Sequence, residues 1–115
     1  MQHSTPKPNK TDVSRFEAFQ RIGCIACHQL GFFSLPQAHH LLSGNVRRGH
    51  QFSIPLCPYH HVSQLPSGAK SSKAIATLLG PSLARESKRF HERFGTDDEL
   101  LAKVNELIAA RENLA

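Results

Sequence analysis

The chain has 115 residues, a formal net charge of +5 and 39% hydrophobic residues, enough for one small domain with a modest core and little to spare. No stretch approaches the ~20 apolar residues of a membrane span, and the N-terminus has no apolar run of a secretory signal, which excludes a membrane partner and points to a cytoplasmic protein. Residues 1–96 hold 12 Lys and Arg against 4 Asp and Glu, and such a basic excess favours polyanions such as nucleic acid.

Residues 1–12, "MQHSTPKPNKTD", are polar and proline-containing and read as a flexible arm. Residues 13–115 are expected to form a single domain. In "VSRFEAFQRI" the apolar Val13, Phe16, Phe19 and Ile22 recur near helical spacing and predict a short amphipathic helix. Gly23 ends it and opens a turn carrying Cys24 and Cys27. "GFFSLPQAHH" reads as a strand approaching His39, "LLSGNVRRGH" as a loop and "QFSIP" as a return strand. Pro58 suits the first position of a helix over about residues 58–64, and "PSGAKSS" reads as a flexible connection. "KAIATLLG", "SLARESKRFHERFG" and "TDDELLAKVNELIAARENLA" are predicted helical. The last has Thr96 as N-cap and Glu99 as its capping-box partner, with Leu100, Leu101, Val104, Leu107 and Ile108 in one apolar stripe.

Three cysteines are an odd number, which argues against a closed disulfide framework, and in a reducing compartment a C-x2-C spacing reads as metal ligation. Cys57 and His60 repeat the spacing of Cys24 and Cys27. Together they make a closed four-ligand set for structural zinc. His28 is a rival fourth ligand, made awkward by its adjacency to Cys27. Adjacent helical residues point ~100° apart, so His60 and His61 serve one ion poorly and two ions well. The economical assignment puts His39 and His61 on a second, open divalent ion and leaves His40 to take a proton from water. In a regular strand His39 and His40 face opposite ways, so both reach one site only at a strand end or irregularity. His50, after Gly49, is a further ligand or a pin for the loop. Asn45 reads as a plain turn residue. The order of strand with His-His, loop, strand and helix with His is the layout of a ββα-metal finger, so the expected fold is α+β: a small ββα-metal (HNH) finger with a zinc knuckle, flanked by helices.

The run "CIAC…AHHLLSGNVRRGHQFSIPLCPYHH" resembles the HNH (His-Me finger) endonucleases. Among them it most resembles the phage recombination-enhancement nucleases, which act on DNA with the host RecA filament. That family's pattern is a Cys pair, His-His, Gly-x-His, then Ile/Leu-Pro-Leu-Cys-x-x-His-His. The matching positions are Cys24 and Cys27, His39 and His40, His50 directly after Gly49 without the spacer, and "IPLCPYHH". The tail "RFHERFGTDDELLAKVNELI" is similar to the family's C-terminal helices. The resemblance implies phosphodiester hydrolysis with a catalytic divalent metal (Mg, Mn, Ni or Zn), His40 as general base and His39 and His61 as ligands. It also implies DNA and a RecA filament as partners. Two departures stand out. His39 occupies the place where general HNH enzymes often have Asp, and their middle Asn would fall at Phe52, with His50 taking its role. The arm is also short, with only Lys7 and Lys10 before residue 15.

Arg47 and Arg48, in the loop between the strands, are the first candidates for phosphate contact, followed by Lys70 and Lys73 and then Arg85, Lys88 and Arg89. Such contacts are independent of sequence and sensitive to salt. Three functions remain open on the residues alone. They are a metal-dependent DNA endonuclease, a zinc-stapled DNA-binding or recombination-interaction module without cleavage, and an RNA-directed nuclease of the same fold.

Overall fold

The computed structural model describes residues 6–112. The first helix, α1 (Lys10–Ile22), starts earlier than its apolar pattern suggests. Asn9 caps it and Asp12 reciprocates, a full capping box that satisfies two otherwise orphaned backbone donors. Residues 10–12 of the expected arm are therefore helical, and residues 1–5 lie outside the described residues. The apolar face also differs from expectation. Phe19 and Ile22 are buried, but Val13 is 45% exposed while Asp12 and Arg15 are buried. A row of three-residue steps drifts around a helix of about 3.6 residues per turn, so Val13 and Ile22 end about 180° apart.

At Gly23 φ is +79°, and an added Cβ would meet the Phe33 ring at 2.8 Å. Only glycine suits that corner. The short α2 (Ile25–Leu30) follows. The expected strand over residues 31–40 shrinks to β1 (Gln37–His40). The predicted loop contains a small hairpin, β2 (Leu42–Ser43) and β3 (Val46–Arg47), turning at Gly44 and Asn45. The return strand is β4 (Ser53–Leu56), antiparallel to β1 with His39 opposite Ile54 and His40 opposite Ser53. Pro55 is tolerated there because a two-stranded ribbon leaves an edge free of ladder bonds.

The ribbon runs through Cys57 directly into α3 (Pro58–Val62), with Pro58 in the first turn. Ser63 closes this helix at φ 64°, the one non-glycine residue with positive φ among those described. Three helices complete the chain: α4 (Ser72–Leu79), α5 (Ser87–Phe94) and α6 (Asp97–Glu112). Residues 82–86 are not helical as expected. The Leu83 N–H donates to the His60 carbonyl at 2.8 Å, and Ser82 hydrogen-bonds Ser63, so the segment is drawn onto α3 before α5 begins. The Thr96–Glu99 capping box is present at α6.

The core centres on β4, whose four residues are all buried and which contacts β1, α1, α2, α3 and α6. Around it lie Phe19, Ile25, Leu41, Ile54, Leu56, Phe90, Leu100 and Val104. Leu101, Leu107 and Ile108 flank it, as the predicted stripe requires. Arg15 is the polar exception. Its guanidinium donates to the Ser53 carbonyl at 2.5 Å and to Asn105 at 2.7 Å, and it lies 5.2 Å from the Phe19 ring centre. These bonds satisfy a buried cation and tie α1, β4 and α6 together. Among the described residues no helix is long and apolar enough to cross a membrane.

Phe90, fully buried against Phe94 and the His60 ring, supports both the core and the cysteine cluster. Phe90→Ala should destabilise the fold by about 3–5 kcal/mol, read as a lowered urea midpoint. A shift equivalent to less than about 1 kcal/mol would show that the site relaxes around the lost ring.

Candidate functional site

Two helix N-termini build the first centre. Cys24 caps α2 and Cys57 caps α3. Each sulfur accepts the backbone N–H of the third residue of its helix at 3.4 Å, from Cys27 and from His60. Such donors favour the thiolate. Cys27 and His60 return from the first turns to face them, and all four residues are buried. The Cys27 and Cys57 sulfurs are 3.8 Å apart, and His60 Nδ1 lies 3.3–3.5 Å from all three sulfurs. A tetrahedral ion about 2.3 Å from sulfur and about 2.0 Å from nitrogen has edges of about 3.8 and 3.5 Å. The donor set therefore fits a metal such as zinc. The other nitrogen of His60 donates to the Leu79 carbonyl at 2.8 Å, leaving the Nδ1 lone pair inward, as ligating histidines require.

The electrostatics agree with this fit. Hydrogen bonds from Cys24, Cys27 and then His60 hold the Cys57 thiol well below its ordinary range despite burial. In the absence of an ion, the neighbouring Cys27 and Cys57 and then burial push the Cys24 thiol up. Burial opposes charge on His60, yet the facing sulfurs of Cys27 and Cys57 raise it to about 9. The pocket thus draws positive charge to the point where the four donors converge. His28 is exposed and takes no part.

The second group lies at the end of the ribbon. Strand alternation separates the His39–His40 doublet: His39 turns to α3 and His40, the last residue of β1, to the loop before β4. His39 Nδ1 is 3.2 Å from His61 Nε2. His61 Nδ1 donates to the Gln37 side-chain oxygen at 2.8 Å, so its Nε2 carries the lone pair that faces His39. His40 Nε2 is 2.9 Å from His50 Nδ1. Both pairs are partly buried, and the Phe16 ring packs edge-on against His40 and His50.

His39, His40 and His61 are held below the ordinary imidazole range. Burial first, then the positive potential of His61, lowers His39 to about 4. Burial lowers His40, with Arg47, His50 and His61 adding to it, and burial lowers His61. The two pairs are thus close enough to act on one another. Asp97, ion-paired with His91 at 2.8 Å, also acts on His39, in the opposite direction from His91.

The basic residues separate. Arg47 lies on β3 close enough to act on His40. Arg48 is engaged with Asp98 at 2.9 Å and with the Leu42 carbonyl. Lys70 is exposed in the connection before α4. Lys73 lines a cleft of about 570 Å³ with Tyr59, Ser63 and Arg85, which none of these histidines lines. Sequence reasoning missed Gln37, although its period-two relation to His39 puts both on one strand face. It also missed the Leu79 carbonyl, for which no side-chain signal exists.

Residues 8–109 match the family described as recombination enhancement, RecA-dependent nuclease. No curated protein matches the chain.

Two outcomes follow from the geometry. Purified protein should carry one tightly bound zinc, lost in Cys57→Ser together with cooperative thermal unfolding. A wild type that carries no zinc, and a Cys57→Ser variant that still unfolds cooperatively, would show that the cluster is an apolar packing feature. In an NMR titration of metal-free second-site protein, His39 should stay neutral down to about pH 4. Between 6.5 and about 4 the unfolded chain binds that proton and the folded chain does not, so stability falls as pH falls through this window. A His39 midpoint at its ordinary value would remove this contribution.

Proposed function

The chain belongs to the recombination-enhancement, RecA-dependent nuclease family, and on that premise we propose that it is a metal-dependent DNA endonuclease of the HNH (His-Me finger) type. It hydrolyses phosphodiester bonds on DNA presented by a RecA filament. The observation that carries this reading is the 3.2 Å approach of His39 Nδ1 to His61 Nε2 beside the His40–His50 pair. Two nitrogens bound to one tetrahedral ion at about 2.0–2.1 Å stand about 3.3 Å apart. Gln37 directs the His61 lone pair to that point. The ribbon of β1 and β4 running into α3 supports a ββα reading.

In this reading Cys24, Cys27, Cys57 and His60 hold a structural zinc, and His39 and His61 hold one catalytic divalent ion. That ion would supply charge stabilisation on the scissile phosphate and its leaving oxygen. His40, held neutral at physiological pH, accepts the proton of the attacking water. The water oxygen bonds to phosphorus, the opposite P–O bond breaks, and a phosphate monoester and a hydroxyl end result. His50 orients His40 through their 2.9 Å contact. Arg47, beside His40, meets backbone phosphates. Arg48 reaches them only by leaving Asp98, and Lys70 and Lys73 extend the basic track away from the site.

The test is a nicking assay on plasmid, single-stranded DNA and RNA with Mg, Mn, Ni or Zn, with and without RecA filament. Wild type should cleave DNA, and His40→Ala should lose about 10²–10⁴-fold in rate while keeping its zinc and its fold. Cleavage that survives His40→Ala would overturn the base assignment. A folded, zinc-loaded wild type that cleaves in no lane would make the chain a zinc-stapled binding module.

A further inference from the structure

The His40–His50 contact does not end at His50. His50 Nε2 lies in hydrogen-bond contact with the backbone carbonyl of Pro6, in the arm before α1. A carbonyl only accepts, so His50 carries its proton on Nε2. In the tautomer with its single proton on Nε2, the Nδ1 of His50 is an acceptor, and the partner 2.9 Å away, His40 Nε2, donates to it. The lone pair of His40 is thereby left on Nδ1. We propose that the N-terminal arm is a positioning element of the site: the Pro6 carbonyl sets the tautomer of His50, and His50 sets that of His40. This rests on reading His40 as the proton acceptor.

Other contacts show that the arm is placed rather than draped. The capping box of Asn9 and Asp12 sets the direction in which the chain enters α1. Gln51 Nε2 donates to the Asp12 carboxylate at 2.6 Å, tying this helix start to the residue after His50. On the other side, the Ser53 hydroxyl donates to the His50 carbonyl, and the buried Arg15 holds Ser53. Phe16, nearly two turns into α1, packs edge-on against His50 with ring centres 5.5 Å apart. Pro6 and Pro8 restrict their own φ, and Pro8 keeps Lys7 extended. The carbonyl is therefore presented on stiff chain, which reduces the entropy lost in seating it. The acceptor is also uncharged. It orients the imidazole pair without placing a carboxylate beside the phosphate.

The test compares the full chain with two truncations that keep Met1, one lacking residues 2–5 and one lacking residues 2–7. Proton–nitrogen correlation NMR assigns the protonated ring nitrogen of His40 and His50, zinc content reports the fold, and single-turnover cleavage separates kcat from KM. The full chain and the shorter truncation should show His40 and His50 protonated at Nε2. The longer truncation should show mixed tautomers at His40 and a kcat lower by about tenfold at unchanged KM. Pro6→Gly with Pro8→Gly, which keeps the length of the arm and the carbonyl at position 6 but removes its stiffness, should move both readouts in the same direction and serves if the longer truncation loses zinc. In the full-length chain, His50→Gln, which can still accept from His40 and donate to Pro6, should retain more activity than His50→Ala. Tautomers or kcat that do not respond to loss of residues 6 and 7 overturn the proposal. A wild type that never cleaves defeats the nuclease reading instead, and the tautomer comparison still decides whether the arm sets the ring.

Discussion

The buried Cys3His group is the interaction on which the geometry of the histidine site depends. α3 has five residues, too few for a helix to persist on its own. Its N-terminus is fixed by the Cys57 sulfur, its first turn by His60 pointing into the cluster, and its far side by the Leu83 N–H on the His60 carbonyl. Neighbouring helical residues diverge by ~100°, so a fixed His60 leaves His61 one direction, towards β1 and His39. The zinc-type cluster and the open pair are consecutive residues of one short helix. A disturbance at the first therefore reaches the second within a single residue.

The remaining chain is built to hold the ribbon at the correct height over that helix. β4 is buried on both faces, and Arg15 clamps its first residue, Ser53, through a carbonyl and a hydroxyl while a third bond holds the Asn105 amide of α6. A buried guanidinium is costly unless its donors are used, and here they are shared among α1, β4 and α6. The same residue, Ser53, stands opposite His40 and accepts from Arg15 while donating to His50. Core and site meet there, so the histidines inherit the rigidity of the packed layer.

How much of this could be read in the sequence depends on where the information sits. The Cys3His cluster was legible because its four side chains carry their chemistry in their identity and their reach in their spacing. The α6 cap and stripe were legible for the same reason. The start of α1 was obscured because three-residue apolar steps resemble a helix face but precess around it, which wrongly enlisted Val13. The β2–β3 hairpin was hidden by its shortness and its exposed residues. The non-helical residues 82–86 were decided by a hydroxyl pair and a backbone bond to α3, neither of which leaves a local pattern. Gln37 could have been found from strand period. The carbonyls of Leu79 and Pro6 could not, since every residue has one and only the tertiary path selects which is used.

The β2–β3 hairpin bears on how such a chain can change in length. Its base is clamped by the Arg48 N–H on the Leu41 carbonyl and by the Arg48 side chain on Leu42, while its tip at Gly44 and Asn45 is exposed. Residues added at that tip would be carried outboard of the clamp and leave both histidine pairs in place. Between Cys57 and His61, one inserted residue would rotate His61 by ~100°, away from β1. Descendants of this chain are therefore free to grow at one end of the ribbon and barred from growing at the other.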